Sequence, residues 1–316
     1  MRAAVVHAPD SAPSCEEFPD PVPVEGEEVF ELVGAGLHQI VRSLASGAHY
    51  SSKGSFPKVP GVDAVARAAD GHLVYTGWIR PPWGTMAERM VARMGIEVPA
   101  EADPLAVAAG MNPAMSGWLP LSRRREEVDR LGTIMVVGAT GMAGRAAVQA
   151  AFALGADRVV GVGRNPEQLA EVEALGAIPV RLGDPNPARA IADALAGEAP
   201  SLVLDYVWGA AAEAAFTALT LPEFEAEASG ETVYNQVGAL AGPTAALPAE
   251  LLRSRPIRVI GSGLGSVSTQ RIIAELPKMI ARIADGTITV PYTVYPLERI
   301  ADAWAHAGAS RAVVVP

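Results

Sequence analysis

The chain has a single cysteine, Cys15, among 316 residues. One thiol cannot close a disulfide within the chain, and it excludes a zinc cluster built from several thiolates. Basic residues are outnumbered: 25 Lys and Arg stand against 35 Asp and Glu, for a net charge of −10 and an isoelectric point near 5.1. Nucleic-acid affinity rests on clustered Lys and Arg, so this balance argues against a phosphate backbone as partner. The run Arg123-Arg124-Arg125-Glu126-Glu127 mixes its signs and reads as a solvated helix end or connector. No apolar run approaches the roughly 20 residues that span a bilayer. The N-terminus turns polar soon after Val6, too early for a signal peptide, and a cytoplasmic location is the expectation.

Half of the residues are hydrophobic and 19% are charged, the balance of a compact chain with a large core. The length suggests two lobes. No internal repeat or low-complexity linker is evident. The first 110 or so residues alternate short apolar runs, such as Ala3–His7 and Glu28–Val33, with Pro and Gly punctuation. From Thr133 onward, strand-like runs are each followed by a helical pattern: Thr133–Val137 then Gly141–Leu154, Arg158–Val162 then Pro166–Leu175, Leu202–Val207 then Ala210–Leu219, and Thr232–Val237 then Ala249–Arg253. The series closes with Ile257–Gly261. Strands this apolar between helices predict a doubly wound parallel sheet over about 118–266, an α/β Rossmann domain. The tail, with helices near Thr269–Ala284 and Leu297–His306, an extended Ile288–Tyr295 and a last strand Ala312–Val315, is expected to rejoin the first lobe. The domains expected are therefore 1–117 with 267–316, and 118–266.

The segment Val136-Val137-Gly138-Ala139-Thr140-Gly141-Met142-Ala143-Gly144 joins the first strand of this series to its helix. It resembles the dinucleotide turn G-x-G-x-x-G with Ala139 at the first glycine. Gly141 would let the backbone approach a diphosphate, and Gly144 would let helix pack closely on strand. Ala139 costs little where φ stays negative. The N–H groups of Gly141, Met142 and Ala143 would then face the diphosphate at a helix N-terminus. A glycine-rich turn serving only tight packing is the plainer alternative. At the end of the second strand, where NAD-binding domains usually carry an acid, the chain has Gly163-Arg164-Asn165. A small Gly163 leaves room for a 2′-phosphate and Arg164 can grip it, which favours NADPH, unless Arg164 is simply solvated. Asn165 and the later strand end Val237-Gly238 join the expected cofactor contacts.

Together these pieces resemble the medium-chain dehydrogenase/reductase family, in its zinc-independent quinone oxidoreductase and enoyl reductase branch. The resemblance covers nearly the whole chain, through "GEEVFELVGAGLHQIVRSLASG", "PKVPGVDAVAR", "GTMAERMV", "VVGATGMAGRAAVQAAFALGA", "LVLDYVWG", "IRVIGSGLG" and the tail "GTITVPYTVYPLERIADAW". It implies a GroES-like β-rich catalytic domain beside the Rossmann domain, a cleft between them for nicotinamide and substrate, and a homodimer, for which Ile257–Gly261 is a plausible pairing edge. Zinc-dependent members place ligands where this chain has His38 and Val62, with a third near Asn112. Val62 cannot ligate and Asn112 is a poor zinc ligand, so no metal is expected.

Without a metal, the fitting chemistry is hydride transfer to a quinone or an α,β-unsaturated carbonyl compound, with donors aimed at the growing oxyanion. Tyr50 sits ten residues before Pro60-Gly61, where the family often has an active-site tyrosine; His49 is the alternative inward-facing residue. His38 stands where the branch usually has Asn, and would bond the nicotinamide ribose or the substrate carbonyl, or be a satisfied structural histidine. Asn112 and Ser116, in "NPAMSGW", resemble an element of enoyl thioester reductases that fixes the nicotinamide end; Asn112 also reads as a helix N-cap before Pro113. Trp78 and Trp83, in a proline-stiffened loop, would wall a pocket or pack the loop onto its lobe. Asp63 reads as a structural hydrogen-bonding acid. The expected function is an NADPH-dependent, zinc-free quinone or enone reductase acting on a small molecule. Two rivals remain: an enoyl-thioester reductase, whose basic entrance would draw on Lys53, Lys58 and Arg80, and a non-catalytic NADPH-binding protein.

Overall fold

In the computed structural model, which describes residues 1–9, 11–47, 49, 52, 56–224, 230–263 and 265–316, the chain forms two units: Met1–Asn112 with Ile273–Pro316, and Pro113–Ile272. In chain order the first holds β1 (Arg2–Val5), β2 (Ser14–Glu17), β3 (Glu28–Gly36), α1 (Gln39–Ser46), β4 (Asp63–Arg67), β5 (Leu73–Gly77), β6 (Arg89–Ala92), β7 (Gly95–Glu97) and the start of α2 (Pro104–Glu127). The second holds β8 (Thr133–Val137), α3 (Met142–Ala153), β9 (Arg158–Gly163), α4 (Pro166–Ala174), β10 (Ile178–Arg181) and α5 (Pro187–Leu195). It continues through β11 (Leu202–Asp205), α6 (Gly209–Thr220), β12 (Thr232–Gln236), α7 (Ala249–Ser254), β13 (Ile257–Gly261) and the start of α8 (Thr269–Ala284). The chain then returns to the first unit with β14 (Tyr292–Pro296), α9 (Ile300–Ala305) and β15 (Arg311–Val315).

The first unit is a seven-stranded sheet ordered β14-β15-β3-β4-β5-β7, with β6 also on β3, and a separate β1-β2 pair. Its strands pair antiparallel except β14 with β15. Phe30, Leu32, Met86, Met90, Leu297 and Val314 anchor its core.

The second unit is a six-stranded parallel sheet ordered β10-β9-β8-β11-β12-β13. All residues of β8 and β11 are buried, as a central strand covered on both faces requires. The strand order reverses between β8 and β11, and in open α/β sheets ligands bind beyond the carboxyl ends of the strands at such a switch point.

Two elements depart from the sequence reading. The β10–α5 pair is absent from it because Pro179 speaks against a strand; β10 forms at the sheet edge, where a missing N–H is tolerated. Asn112 is not an N-cap. The helix starts at Pro104, where Asp103 Oδ1 accepts from Leu105 N at 2.9 Å, so the Asx-Pro start signal sits at Asp103-Pro104 and Pro113 lies inside α2.

Candidate functional site

The turn after β8 is built by Gly138. Its φ of 91° is the left-handed value that favours glycine, whereas Ala139 has no positive φ. The N–H groups of Gly138 and Ala139 both donate to Val162 O, at 2.8 and 3.0 Å. The bend therefore falls one residue before the position the fingerprint assigns to it, and Ala139 is simply a fully buried methyl. Gly144 does the packing expected of the third glycine: a Cβ there would lie 2.2 Å from Gly138 O.

Gly141 differs from both. Its φ is −74° and ψ 163°, an extended N-cap that any residue adopts. A Cβ on it would meet nothing nearer than Gly138 O at 3.4 Å. Neither conformation nor protein contact requires glycine here, so what the residue leaves is an exposed backbone face open to a ligand. Gly141 N–H itself is engaged with Gly138 O at 3.1 Å. It is therefore already engaged within the turn, whereas the sequence reading had it facing the diphosphate. Met142, Ala143 and Gly144, in the first turn of α3, have no intrahelical acceptors, and Gly141 has no side chain to cap them. Those N–H groups, with the helix dipole behind them, suit an anion.

At the end of β9, Gly163 does not hold open space. A Cβ there would strike Thr140 Cγ2 at 2.4 Å and approach Leu169 at 3.2 Å, so the missing side chain makes room for Thr140. Arg164 is exposed and forms no ion pair among the described residues. Asn165 caps α4, its Oδ1 accepting from Glu167 N at 2.9 Å and Gln168 N at 3.2 Å. A second cation was missed: Arg181 ends β10 in register with Gly163, and it too is exposed and without an ion pair among the described residues. Its signal was hidden with the strand that carries it.

On the other side of the switch point, the turn after β11 is held by Asp205, fully buried. One carboxylate oxygen accepts from Val207 N and Trp208 N, at 2.8 and 2.9 Å, and the other accepts from Tyr234 Oη at 2.7 Å. Trp208 is forced to φ 60° and ψ −159°, a region essentially reserved for glycine that costs about 1–3 kcal/mol. Val237 and Gly238 donate their N–H groups to Asp205 O, at 2.7 and 3.0 Å. Both amides thus close the protein's own turn. Ser116 Oγ lies 2.6 Å from Pro113 O and 3.2 Å from Tyr206 Oη, so the Tyr206 hydroxyl belongs with Ser116 at this end of the sheet. Burial pushes the Tyr206 ionisation upward.

In the first unit, His38 is 1% exposed at the start of α1. Its Nε2 lies 3.2 Å from Asp63 Oδ1, within ion-pair distance but off the line of a hydrogen bond. Among the described residues, neither ring nitrogen has a hydrogen-bond partner. Asp63 Oδ2 accepts from buried Tyr75 Oη at 2.7 Å. The hydrogen bond from Tyr75 is in keeping with the structural role the sequence reading gave Asp63.

Tyr50 and Lys53 lie outside the described residues. His49 is half-buried, its N–H donating to Ser43 O at 3.1 Å, and burial lowers its pKa. Asn112 is half-buried in α2 and makes no side-chain hydrogen bond among the described residues. Trp78 is 50% exposed, with a φ of 57°. Trp83 packs on its own unit, donating Nε1–H to Pro19 O at 2.9 Å under the Arg80 guanidinium. Arg80 also reaches Val22 O and Glu27, and Lys58 donates to Leu44 O at 2.8 Å, so two of the three cations expected at a thioester entrance are engaged elsewhere.

A parallel sheet with a glycine turn suited to an anion at its switch point is the architecture of a dinucleotide-binding domain. A family model described as zinc-binding dehydrogenase matches residues 143–285. The chain is 30% identical, over the full length of both, to a probable NADPH-dependent quinone reductase, tdiC, of Emericella nidulans. A quinone oxidoreductase from Thermus thermophilus, solved also as its NADPH complex, superposes with a TM-score of 0.77 at 26% identity, covering all of both chains. One from Pseudomonas syringae gives 0.83 at 20% identity, again over both whole chains. The chain belongs to the quinone oxidoreductase family of the medium-chain dehydrogenases/reductases. The zinc-binding description covers a segment without His38, Val62 or Asn112. Among the described residues no three His, Cys, Asp or Glu side chains gather to hold a metal ion. Val62 offers no donor beside His38 and Asp63, so these residues do not fit a catalytic zinc.

Proposed function

We propose that this protein is an NADPH-dependent, zinc-independent reductase of quinones and related α,β-unsaturated carbonyl compounds. The observation that carries the reading is the bare Gly141 face, with uncapped N–H groups beside it and, at the ends of β9 and β10, two arginines without an ion pair among the described residues. Met142, Ala143 and Gly144 would bind the diphosphate, and Arg164 with Arg181 the 2′-phosphate. Bound NADPH supplies the hydride. Tyr50, His38 and Asn112 are the donors proposed for the substrate oxygen as charge grows on it, and Ser116 orients the nicotinamide end. Trp78 and His49 remain the substrate-pocket residues of choice; Trp83 is already engaged in packing.

Mixing the protein with NADPH and a soluble benzoquinone should extinguish NADPH fluorescence catalytically. Binding without turnover, across quinones and small cyclic enones, would instead favour a non-catalytic NADPH protein. Exhaustive dialysis against a strong chelator should leave turnover unchanged; a loss restored by zinc would refute the metal-free assignment. A cytoplasmic homodimer completes the proposal, paired through β13, a half-exposed edge strand. No helix among the described residues is long and apolar enough to cross a membrane.

A further inference from the structure

Thr140 lies in the glycine turn between the bend at Gly138 and the bare face of Gly141, and it is half-buried. Its methyl group has a structural reason. The Cβ that Gly163 lacks would lie 2.4 Å from Thr140 Cγ2, so the end of β9 is cut back to a backbone on which that methyl rests. Its hydroxyl has none. Thr140 Oγ1 would lie 3.1 Å from the same Cβ, yet it makes no hydrogen bond among the described residues. A hydroxyl carries one donor and two acceptor lone pairs. Here the donor is held against the neighbouring strand with no protein acceptor to take it.

The neighbours decide what kind of ligand takes that donor. Gly163 is followed by Arg164 and pairs with Arg181 on β10. The side chain of Thr140 and the backbone positions of the two arginines thus meet at the carboxyl end of β9. A guanidinium group offers only donors, and neither arginine forms an ion pair among the described residues. The acids next in sequence, Glu167 and Asp184, are exposed and pair with neither of them among the described residues. This end of β9 therefore has no carboxylate to receive the hydrogen of a free ribose hydroxyl. Two cations beside a free hydroxyl suit an anionic oxygen instead.

We propose that Thr140 Oγ1 is a third ligand of the cofactor's 2′-phosphate, and that Gly163 is bare in order to seat the threonine beside it. The inference rests on the NADPH reading above and adds a specificity-determining residue to it. The two branches of one side chain act separately, the methyl on Gly163 and the hydroxyl on the ligand. Substitution can therefore remove either branch alone: valine keeps the shape and loses the hydroxyl, whereas serine keeps the hydroxyl and loses the methyl.

Calorimetric titration of the full-length protein with 2′-phospho-ADP-ribose and with ADP-ribose isolates the 2′ contact without the nicotinamide. The wild type should bind the phosphorylated ligand more tightly. Thr140→Val should weaken 2′-phospho-ADP-ribose by about tenfold or more and change ADP-ribose by no more than about twofold, as the loss of a hydrogen bond to a charged group requires. Thr140→Ser should keep the preference, while its melting temperature without ligand falls because the packed methyl is gone. Should Thr140→Val fail to fold, Thr140→Ala set against Thr140→Ser makes the same comparison, since those two differ only in the hydroxyl. A Thr140→Val protein that binds 2′-phospho-ADP-ribose like the wild type overturns the proposal and leaves the NADPH reading standing. Equal losses for both ligands also overturn it, because the hydroxyl then acts on the diphosphate they share. A wild type that does not distinguish the two ligands overturns the NADPH reading itself, and the role of Thr140 with it.

Discussion

Gly141→Val should leave the unliganded protein folded and reduce NADPH affinity on the order of 10²-fold, about 2.7 kcal/mol. The position has extended backbone angles and open space around its Cα. At a compatible φ, losing glycine costs the folded state little, and reduced freedom of the unfolded chain offsets the weaker N-cap. The melting temperature without cofactor should therefore move by only a few degrees. The side chain would stand where the diphosphate must approach the backbone. Gly144→Ala gives the opposite result, because its Cβ would lie 2.2 Å from Gly138 O and 2.7 Å from Ala139 Cα. Overpacking against backbone costs at least about 1–3 kcal/mol, so the melting temperature falls before any ligand is added. Thermal scans with and without NADPH separate the two. If Gly141→Val keeps wild-type NADPH affinity, the turn does not hold the diphosphate.

This contrast also shows where sequence reasoning ends. The central strands were legible because β8 and β11 are apolar on both faces, a pattern that only a covered parallel sheet explains. The division of labour within the turn was not. Gly138, Gly141 and Gly144 look alike in sequence, but one answers to a positive φ, one to open space and one to a backbone oxygen. The edge strand β10 was invisible because Pro179 argues against a strand when its place in the sheet is unknown. The grouping of His38, Asp63 and Tyr75 was equally hidden. In the register of β4 and β5, Val65 faces Tyr75 and Asp63 lies two residues further along, so Asp63 and Tyr75 are diagonal neighbours on one face. Local sequence carries no sign of that register. Ala139 was legible as harmless, but for a different reason, since the bend it seemed to lack belongs to Gly138.

Arg164→Asp should raise the KM for NADPH on the order of 10²-fold and change that for NADH by no more than about threefold. A charge-assisted hydrogen bond to a phosphate contributes about 1.5–3 kcal/mol, and an aspartate adds repulsion to its loss. The selectivity follows from what the two cofactors share: only NADPH carries the 2′-phosphate. Arg181→Asp tests the neighbour. Because Arg181 ends β10 in register with Gly163, its guanidinium can reach the same phosphate from the adjacent strand. The single Arg181 variant should then lose NADPH by about tenfold, and the double variant should fall short of the product of the two losses, as expected for residues that share a partner. Neither substitution touches a buried partner, so the fold should be kept, as circular dichroism can verify. Equal losses for NADPH and NADH would show that Arg164 acts on a part common to both cofactors. An unchanged Arg181 variant would leave Arg164 as the only cation on the phosphate.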